Sequence, residues 1–504
     1  MAQTKHRSSQ AAQAAQKNTI TSKNICFSIL LLTMIQRLDA CQACPRECAC
    51  ATIEHIIMVN CSFRKLTSFP SLLDLAPPVD HHLTGRTLRG IHLFVNGNSL
   101  RYVLRNQLSD VASQLNALEI ENNKHFMELP SDLFTGFGSL GGLQRLRLGP
   151  IRGNICGIIN SLNSLSQIRD FSLTGSISAY KESKSIPGTE NCVLDSAALP
   201  STLRFFHLAK WGTVTIEGEA KSDLALIDLK LSGLRLVRVP LLAIKLLPSS
   251  LRHLDLSRNL ITDLKHYPVP TGMRHCRLET LNLSYNRLSV LKDGMLEKCT
   301  SLRLLDVSHN PFLLSLGPDL LPKVTALTLD LSFTRVSSLE AIALDQTTVV
   351  KMFSAGLECD CERLANMFLT RIGGKTMIHG TCHHSGREVQ GQRPEVTLEQ
   401  FIFECSVNSE DPTTASILSH MHQTMREYLE SGELEQETSK HERYTENVGN
   451  NTEQLSNKQT GGTAIKFCPF SCCTCFVASI IHGLLLCAAL LTIGEGVKKY
   501  DFAK

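Results

Sequence analysis

The chain has 504 residues, 43% of them apolar and 19% charged, with a formal net charge of +4. That apolar share supplies a continuous core and excludes a disordered polar chain. The surplus charge equals Lys5, Arg7, Lys17 and Lys23 of an acid-free leader, so beyond it charges balance and no basic field argues for nucleic acid.

Residues 1 to 40 read as a long basic leader and a secretory signal. The apolar run ICFSILLLTMI at 25 to 35 is too short to span a bilayer and is followed by the small residue Ala40. A late translation start accounts equally for residues 1 to 24. Cleavage after Ala40 or after Ala43 satisfies the small-residue rule, and the second choice removes Cys41 and leaves twelve cysteines through Cys405. The nineteen cysteines cluster on either side of the central region, with five in the last apolar stretch, a distribution that points to an oxidising compartment and disulfide-held ends. Four thiolates at Cys44, Cys48, Cys50 and Cys61 would also suit zinc.

After a cysteine-rich segment at 41 to 87, a leucine spacing returns roughly every 24 to 28 residues, clearest in LRHLDLSRNLI from Leu251, LETLNLSYNRL from Leu278 and LRLLDVSHNPF from Leu302. Each copy reads L-x-x-L-x-L-x-x-N-x-L. The apolar residues point inward from a short strand, the Asn bonds backbone inside the coil, and one copy cannot bury its own face, so copies must stack. Starts near Leu88, Leu115, Leu143, Ile168, Leu203, Leu224, Leu251, Leu278, Leu302, Ala326 and Thr347 give about eleven units over residues 88 to 356. In the degenerate units Ser176, Trp211 and Ser232 fall at the Asn position, and Trp211 reads as a packing residue rather than a ligand anchor. Parallel strands stacked at about 4.8 Å make a concave sheet on the order of 50 Å long, suited to a protein ligand.

The outward central column is His92, Glu119, Arg147, Ser172, His207, Asp228, Asp255, Asn282, Asp306, Asp330 and Lys351, acidic in its second half. Neighbouring columns add Arg252, Arg258, Tyr285, His309 and Phe333. Such a mixture of charge and aromatic area suits a protein interface, although Asp within "LDLS" also serves simply to solvate a strand. The candidate binding set is His207, Asp228, Asp255, Arg258, Tyr285, Asp306, His309, Asp330 and Phe333. It has no spacing of a nucleophile with its base or of a metal site, so neither an enzyme, a metal nor another cofactor is expected. Cys276 and Cys299 either bridge adjacent coils or stay as small apolar groups, while Cys156 and Cys192 flank an irregular region that a bridge would close.

The segment CPRECACATIEHIIMVNC from Cys44, followed by LTSFP, closely resembles the N-terminal cysteine cap of extracellular leucine-rich repeat proteins, and LECDCERL with Cys382 and FECS resembles the matching C-terminal cap at 357 to 405. The resemblance implies an α/β repeat fold, a leucine-rich repeat solenoid forming a curved parallel β-sheet horseshoe with disulfide-bonded end caps. It also implies pairings Cys44 to Cys50, Cys48 to Cys61, Cys359 to Cys382 and Cys361 to Cys405. The Asn-Pro-Trp that often precedes the second cap is replaced by Ala355, Gly356 and Leu357.

Residues 406 to 466 read as a polar stalk, in which Leu418, Met421, Met425 and Tyr428 recur at helical spacing, as a solvated spacer or a short partner helix. Phe467 to Ile493 carries no Asp, Glu, Lys or Arg and is long enough for one membrane span. Lys498 and Lys499 place the short tail, 494 to 504, on the cytoplasmic side, giving a single-pass type I plasma-membrane protein. His482 is a polar oddity in that run, and Cys468, Cys472, Cys473 and Cys475 lie at its outer edge. A lipid anchor near Gly461, Gly462 and Thr463 is the alternative. Sequons begin at Asn60, Asn282 and Asn450. The layout resembles surface leucine-rich repeat glycoproteins and implies a receptor or adhesion protein that binds an extracellular protein and signals, if at all, through a membrane co-receptor. The other reading is a structural matrix, lipid-anchored or shed binding protein.

Overall fold

The computed structural model describes residues 44–430 apart from internal stretches, the longest being 73–89, 135–141, 176–191, 265–275, 340–348 and 385–394. The expectations for the leader, Cys41, Trp211, Asn450 and everything from 431 onward, including the apolar run with His482 and its cysteines, lie outside the described residues. Among those described, no helix is long and apolar enough to cross a membrane.

The fold is a leucine-rich repeat solenoid built on one continuous sheet. An antiparallel hairpin, Ala49–Ile53 with Ile56–Asn60, opens it, and Met377–His383 with Glu395–Thr397 closes it. Between them twelve further pairings, from Ile56–Asn60 and Gly90–Phe94 through to Val349–Met352 and Met377–His383, include the parallel strands His253–Asp255, Thr280–Asn282, Leu304–Asp306 and Thr328–Asp330. Hairpins at both ends cover the edges that a parallel stack would otherwise leave open to another chain.

Each coil holds its shape for two reasons that its sequence states. Leu254, Leu256, Leu281, Leu283, Leu305 and Val307 alternate inward and are 0–1% exposed, forming one core with the same positions of every neighbour. The Asn at the ninth position then satisfies backbone groups of two coils together. Asn286 Nδ2 donates to Leu256 O and Leu283 O, both at 3.0 Å, and its Oδ1 accepts from Ile261 N at 3.0 Å. Asn259 and Asn310 repeat the arrangement, and Asn98 uses it to stitch the first coil to the cap through Cys61 O and Leu66 N. Buried backbone left without such partners would cost the coil about 1–3 kcal/mol per group.

The register corrects two of the expected repeat starts. Phe94 pairs with Glu119, and Lys230 pairs with both His207 and Asp255. The central column therefore holds Phe94 where His92 was expected and Lys230 where Asp228 was expected, and the units begin at Gly90 and Leu226. The Asn position of the second unit falls on Leu234 rather than Ser232, because Asn259 Oδ1 accepts from Leu234 N and Leu236 N. A shift of one residue would have turned the leucines outward, whereas a shift of two leaves alternation intact. Leu224, Leu226, Leu229 and Leu231 satisfy either register by pattern alone.

Both caps are closed by sulfur. Cys44–Cys50, Cys48–Cys61, Cys359–Cys382 and Cys361–Cys405 are all disulfides, so none of the four N-terminal thiolates considered for zinc is free. Cys276–Cys299 bridges neighbouring coils as well, and Cys192 is disulfide-bonded; the side chain of its expected partner Cys156 is not among those described. Beyond Cys405 the expected polar stalk is replaced, over its first part, by more cap. Helix Leu398–Asn408 runs through that boundary, and helix Pro412–Glu430, started by Asp411 Oδ2 accepting from Thr414 N at 2.9 Å, packs back onto it. Leu418 and Met425 are 0% and 3% exposed, so this apolar stripe is covered by the cap and is not a free spacer.

Candidate functional site

The fifth residue of each coil faces outward at the middle of its strand. In the C-terminal half these residues are Lys230, Asp255, Asn282, Asp306, Asp330 and Lys351, in unbroken register. Their side chains also end the strand. Oδ1 of Asp255, Asn282, Asp306 and Asp330 each accepts from the backbone N–H of the Ser two residues on, at 2.9 Å. Asn60 makes the same bond to Ser62 at 3.0 Å. The sequons at Asn60 and Asn282 thus coincide with the turn that the repeat requires, and both asparagines occupy the central column.

Charge along this column is uneven. Lys230 Nζ lies 3.0 Å from Asp255 Oδ2; burial pushes the Asp255 carboxyl up, but Lys230 and the Ser257 bonds outweigh it and hold the group below its ordinary value. Among the described residues Asp306 has no such cation. Burial first, and then the Asp330 charge beside it, push its carboxyl up to about 6 despite two bonds from Ser308.

Alongside runs a second outward column at the eighth position. Arg258, Tyr285, His309 and Phe333 all have φ between 55° and 58°, a left-handed conformation unfavourable for bulky side chains. Backbone bonds to the next coil hold them there, from Arg258 N to Ser284 O, Tyr285 N to Ser308 O, His309 N to Ser332 O and Phe333 N to Phe353 O, at 2.8–3.0 Å. Because every coil turns alike, the side chains stack. The Arg258 guanidinium sits 4.2 Å above the Tyr285 ring, Tyr285 and His309 stack at 3.9 Å, and His309 and Phe333 at 4.3 Å. Burial lowers the His309 pKa, only partly offset by Asp330, so the imidazole is neutral at physiological pH and the ladder carries one cation at its end. Tyr285 and Phe333 remain 41% and 47% exposed.

The N-terminal half is arranged differently. Asp170 Oδ2 accepts from Arg147 Nη2 at 2.8 Å and Arg145 Nε at 3.0 Å, and Arg145 also reaches Glu119 at 3.5 Å. Glu121, close by, is pushed up by burial against the pull of Arg147. His207 Nε2 and Asp228 Oδ1 are 3.0 Å apart, near enough for an ion pair though not aligned as a hydrogen bond. Of the expected binding residues, His207 and Asp228 face each other in this half, while Asp255, Arg258, Tyr285, Asp306, His309, Asp330 and Phe333 lie along one strip. Lys230, which reasoning from sequence missed, controls Asp255. Its signal was the register, recoverable only by choosing Leu226 over Leu224 as the start.

The class that these coils define is the leucine-rich repeat solenoid, and residues 276–312 match the family described as Leucine rich repeat. The chain is 29% identical over 310 residues to Podocan-like protein 1 of Homo sapiens, a match covering 60% of this chain and 52%, about half, of that protein. Among solved structures, human trophoblast glycoprotein shares 20% identity with a TM-score of 0.29, over 55% of this chain and 83% of that one. A chain of the octameric complex of Latrophilin 3, Unc5D and FLRT2 shares 13% identity with a TM-score of 0.34, over 68% of this chain and 94% of that one. Likenesses of that size carry no argument about the site. The disulfides do bear on location, because bridges of this number persist in oxidising, extracellular-type compartments.

Proposed function

We propose that this is a cell-surface recognition protein that binds a protein ligand on the C-terminal half of its concave sheet and acts through a membrane partner. The observation that carries the reading is the exposed stack from Arg258 to Phe333 beside a column of carboxylates. Rigid aromatic area flanked by charge is the composition of binding hot spots, and here the backbone fixes the side chains before any partner arrives, which lowers the ordering cost of association. Tethering by the 467 to 493 run and glycans at Asn60 and Asn450 belong to the same proposal; a glycan on the Asn282 sequon, between Asp255 and Asp306, would instead shield the middle of this face and shift binding toward the edges or loops.

A binding screen of the full chain against extracellular proteins tests it. Any partner found is measured again with Tyr285→Ala combined with Phe333→Ala, and separately with Leu241→Ala, an exposed residue on the short helix Leu241–Leu246 outside the sheet. The first variant should weaken binding by about tenfold or more while secretion stays intact. Equal binding by all forms would move the site off this face.

A further inference from the structure

The turn-closing bond at the central position needs no charge, since Asn282 makes it as well as its aspartate neighbours do. Asp255 has Lys230 to meet its charge. Among the described residues neither Asp306 nor Asp330 forms an ion pair, although the two stand abreast on paired strands and Asp306 is only 7% exposed. Two like charges held side by side are unfavourable; burial first, and then the Asp330 charge, push the Asp306 carboxyl up. Next to them stand the His309 and Phe333 rings, stacked at 4.3 Å, with no described cation over Phe333 to match Arg258 over Tyr285 at the other end of the ladder.

We propose that Asp306 and Asp330, walled by His309 and Phe333, anchor an arginine side chain of the protein ligand. The inference rests on the concave-face reading and names the chemistry of its partner. A guanidinium offers donors in a planar fork that spans two carboxylates, while its flat, weakly hydrated face lies against an aromatic ring; a lysine ammonium provides the charge without the plane. The cation relieves the repulsion that the empty pair carries. Phosphate-bearing ligands are disfavoured by the same carboxylates.

The test uses the full chain at neutral pH with fluorescent hexa-arginine, hexa-lysine and hexa-glutamate peptides, with and without a chelator. Hexa-arginine should bind most tightly, hexa-glutamate not at all, and Asp306→Asn or Asp330→Asn should each weaken hexa-arginine by about tenfold. Both substitutions keep the acceptor that the turn uses, so an unchanged near-ultraviolet spectrum shows that the fold is retained. Phe333→Ala should narrow the preference for arginine over lysine. The inference is overturned if hexa-arginine does not bind, if both Asn variants bind it as the parent does, or if binding disappears with the chelator, which would assign the carboxylates to a metal ion. A natural partner lost on Tyr285→Ala with Phe333→Ala but indifferent to both Asn variants sinks this inference and leaves the concave-face reading standing.

Discussion

The concave sheet carries charged side chains both from Glu119 to Asp228 and from Asp255 to Asp330, yet the two regions use them in opposite ways. In the first, Arg145 and Arg147 converge on Asp170, whose side chain is 9% exposed, and Arg145 also reaches Glu119. In the second, Lys230 answers Asp255, whereas Asp306 and Asp330 stand beside exposed rings without an ion pair among the described residues, although Lys351 follows Asp330 on the next strand. A matched circuit stabilises the molecule and has little left to offer a ligand; an unmatched strip costs stability and can recover it on binding. The Asn ladder does not follow this division, being intact at Asn259, Asn286 and Asn310 but giving way to Leu234 in the unit before them and to Thr334 in the unit of Asp330, and recurring at Asn98 and Asn123 in the first half.

The contrast is broken most severely by removing the scaffold. Asn286→Ala strips Leu256 O, Leu283 O and Ile261 N of buried partners, which at 1–3 kcal/mol each should cost about 4 kcal/mol in denaturant unfolding. An equal loss from a change at exposed Arg252 would show that the Asn ladder is not what holds these coils. Next comes the Cys276–Cys299 bridge, with a sequence separation of 23. Replacing both with Ser should cost about 3 kcal/mol by loop-closure entropy, read as a lower Tm, with the lost protection against hydrogen exchange centred on these two coils rather than spread through the Arg145 to Asp228 region.

How far the sequence could foresee this division follows from what sets each half. The strip was legible because Leu251, Leu278 and Leu302 open copies so regular that the fifth and eighth positions follow by counting. The cap disulfides were legible through resemblance, since four cysteines admit several pairings. In the degenerate half the pattern admits two registers that differ by a pair of residues, so Lys230 and Phe94 stayed hidden. Nor could spacing reveal that Leu418 and Met425 fold back onto the cap, because a helical apolar stripe does not name what covers it.

A pH titration sharpens the comparison in the carboxylate strip. In the fold the Asp306 carboxyl is pushed up to about 6 from its ordinary 3.8, so between those values the folded chain holds a proton that the unfolded chain releases. Stability should fall as pH rises from near 4 to near 6, then stay level. Asp306→Asn lacks that dependence and should equal the parent near pH 4 but exceed it at pH 7, by at most about 3 kcal/mol at 1.36 kcal/mol per unit. In the opposite half, Asp170→Asn should destabilise at pH 7 because two guanidinium groups lose their shared anion. If both changes shift stability in the same direction, the division between a matched and an unmatched half fails.

The smallest expected effect is the most discriminating. Phe333→Ala removes a ring that is 47% exposed and stacked, among the described residues, on His309, and truncation also eases the left-handed backbone at φ 58° only slightly, since alanine keeps the Cβ that makes it unfavourable. Loss of stacking at an exposed site is worth about 0.5–1.5 kcal/mol, so unfolding should shift by less than about 1 kcal/mol. Ligand affinity should fall by more than that figure converts to, because a hot-spot ring contributes through the partner it excludes from water rather than through the coil it stands on. A stability loss as large as the affinity loss would mean that the ladder is scaffold, like the Asn ladder behind it, and that the exposed strip has no closer connection to binding than the charge circuit in the other half.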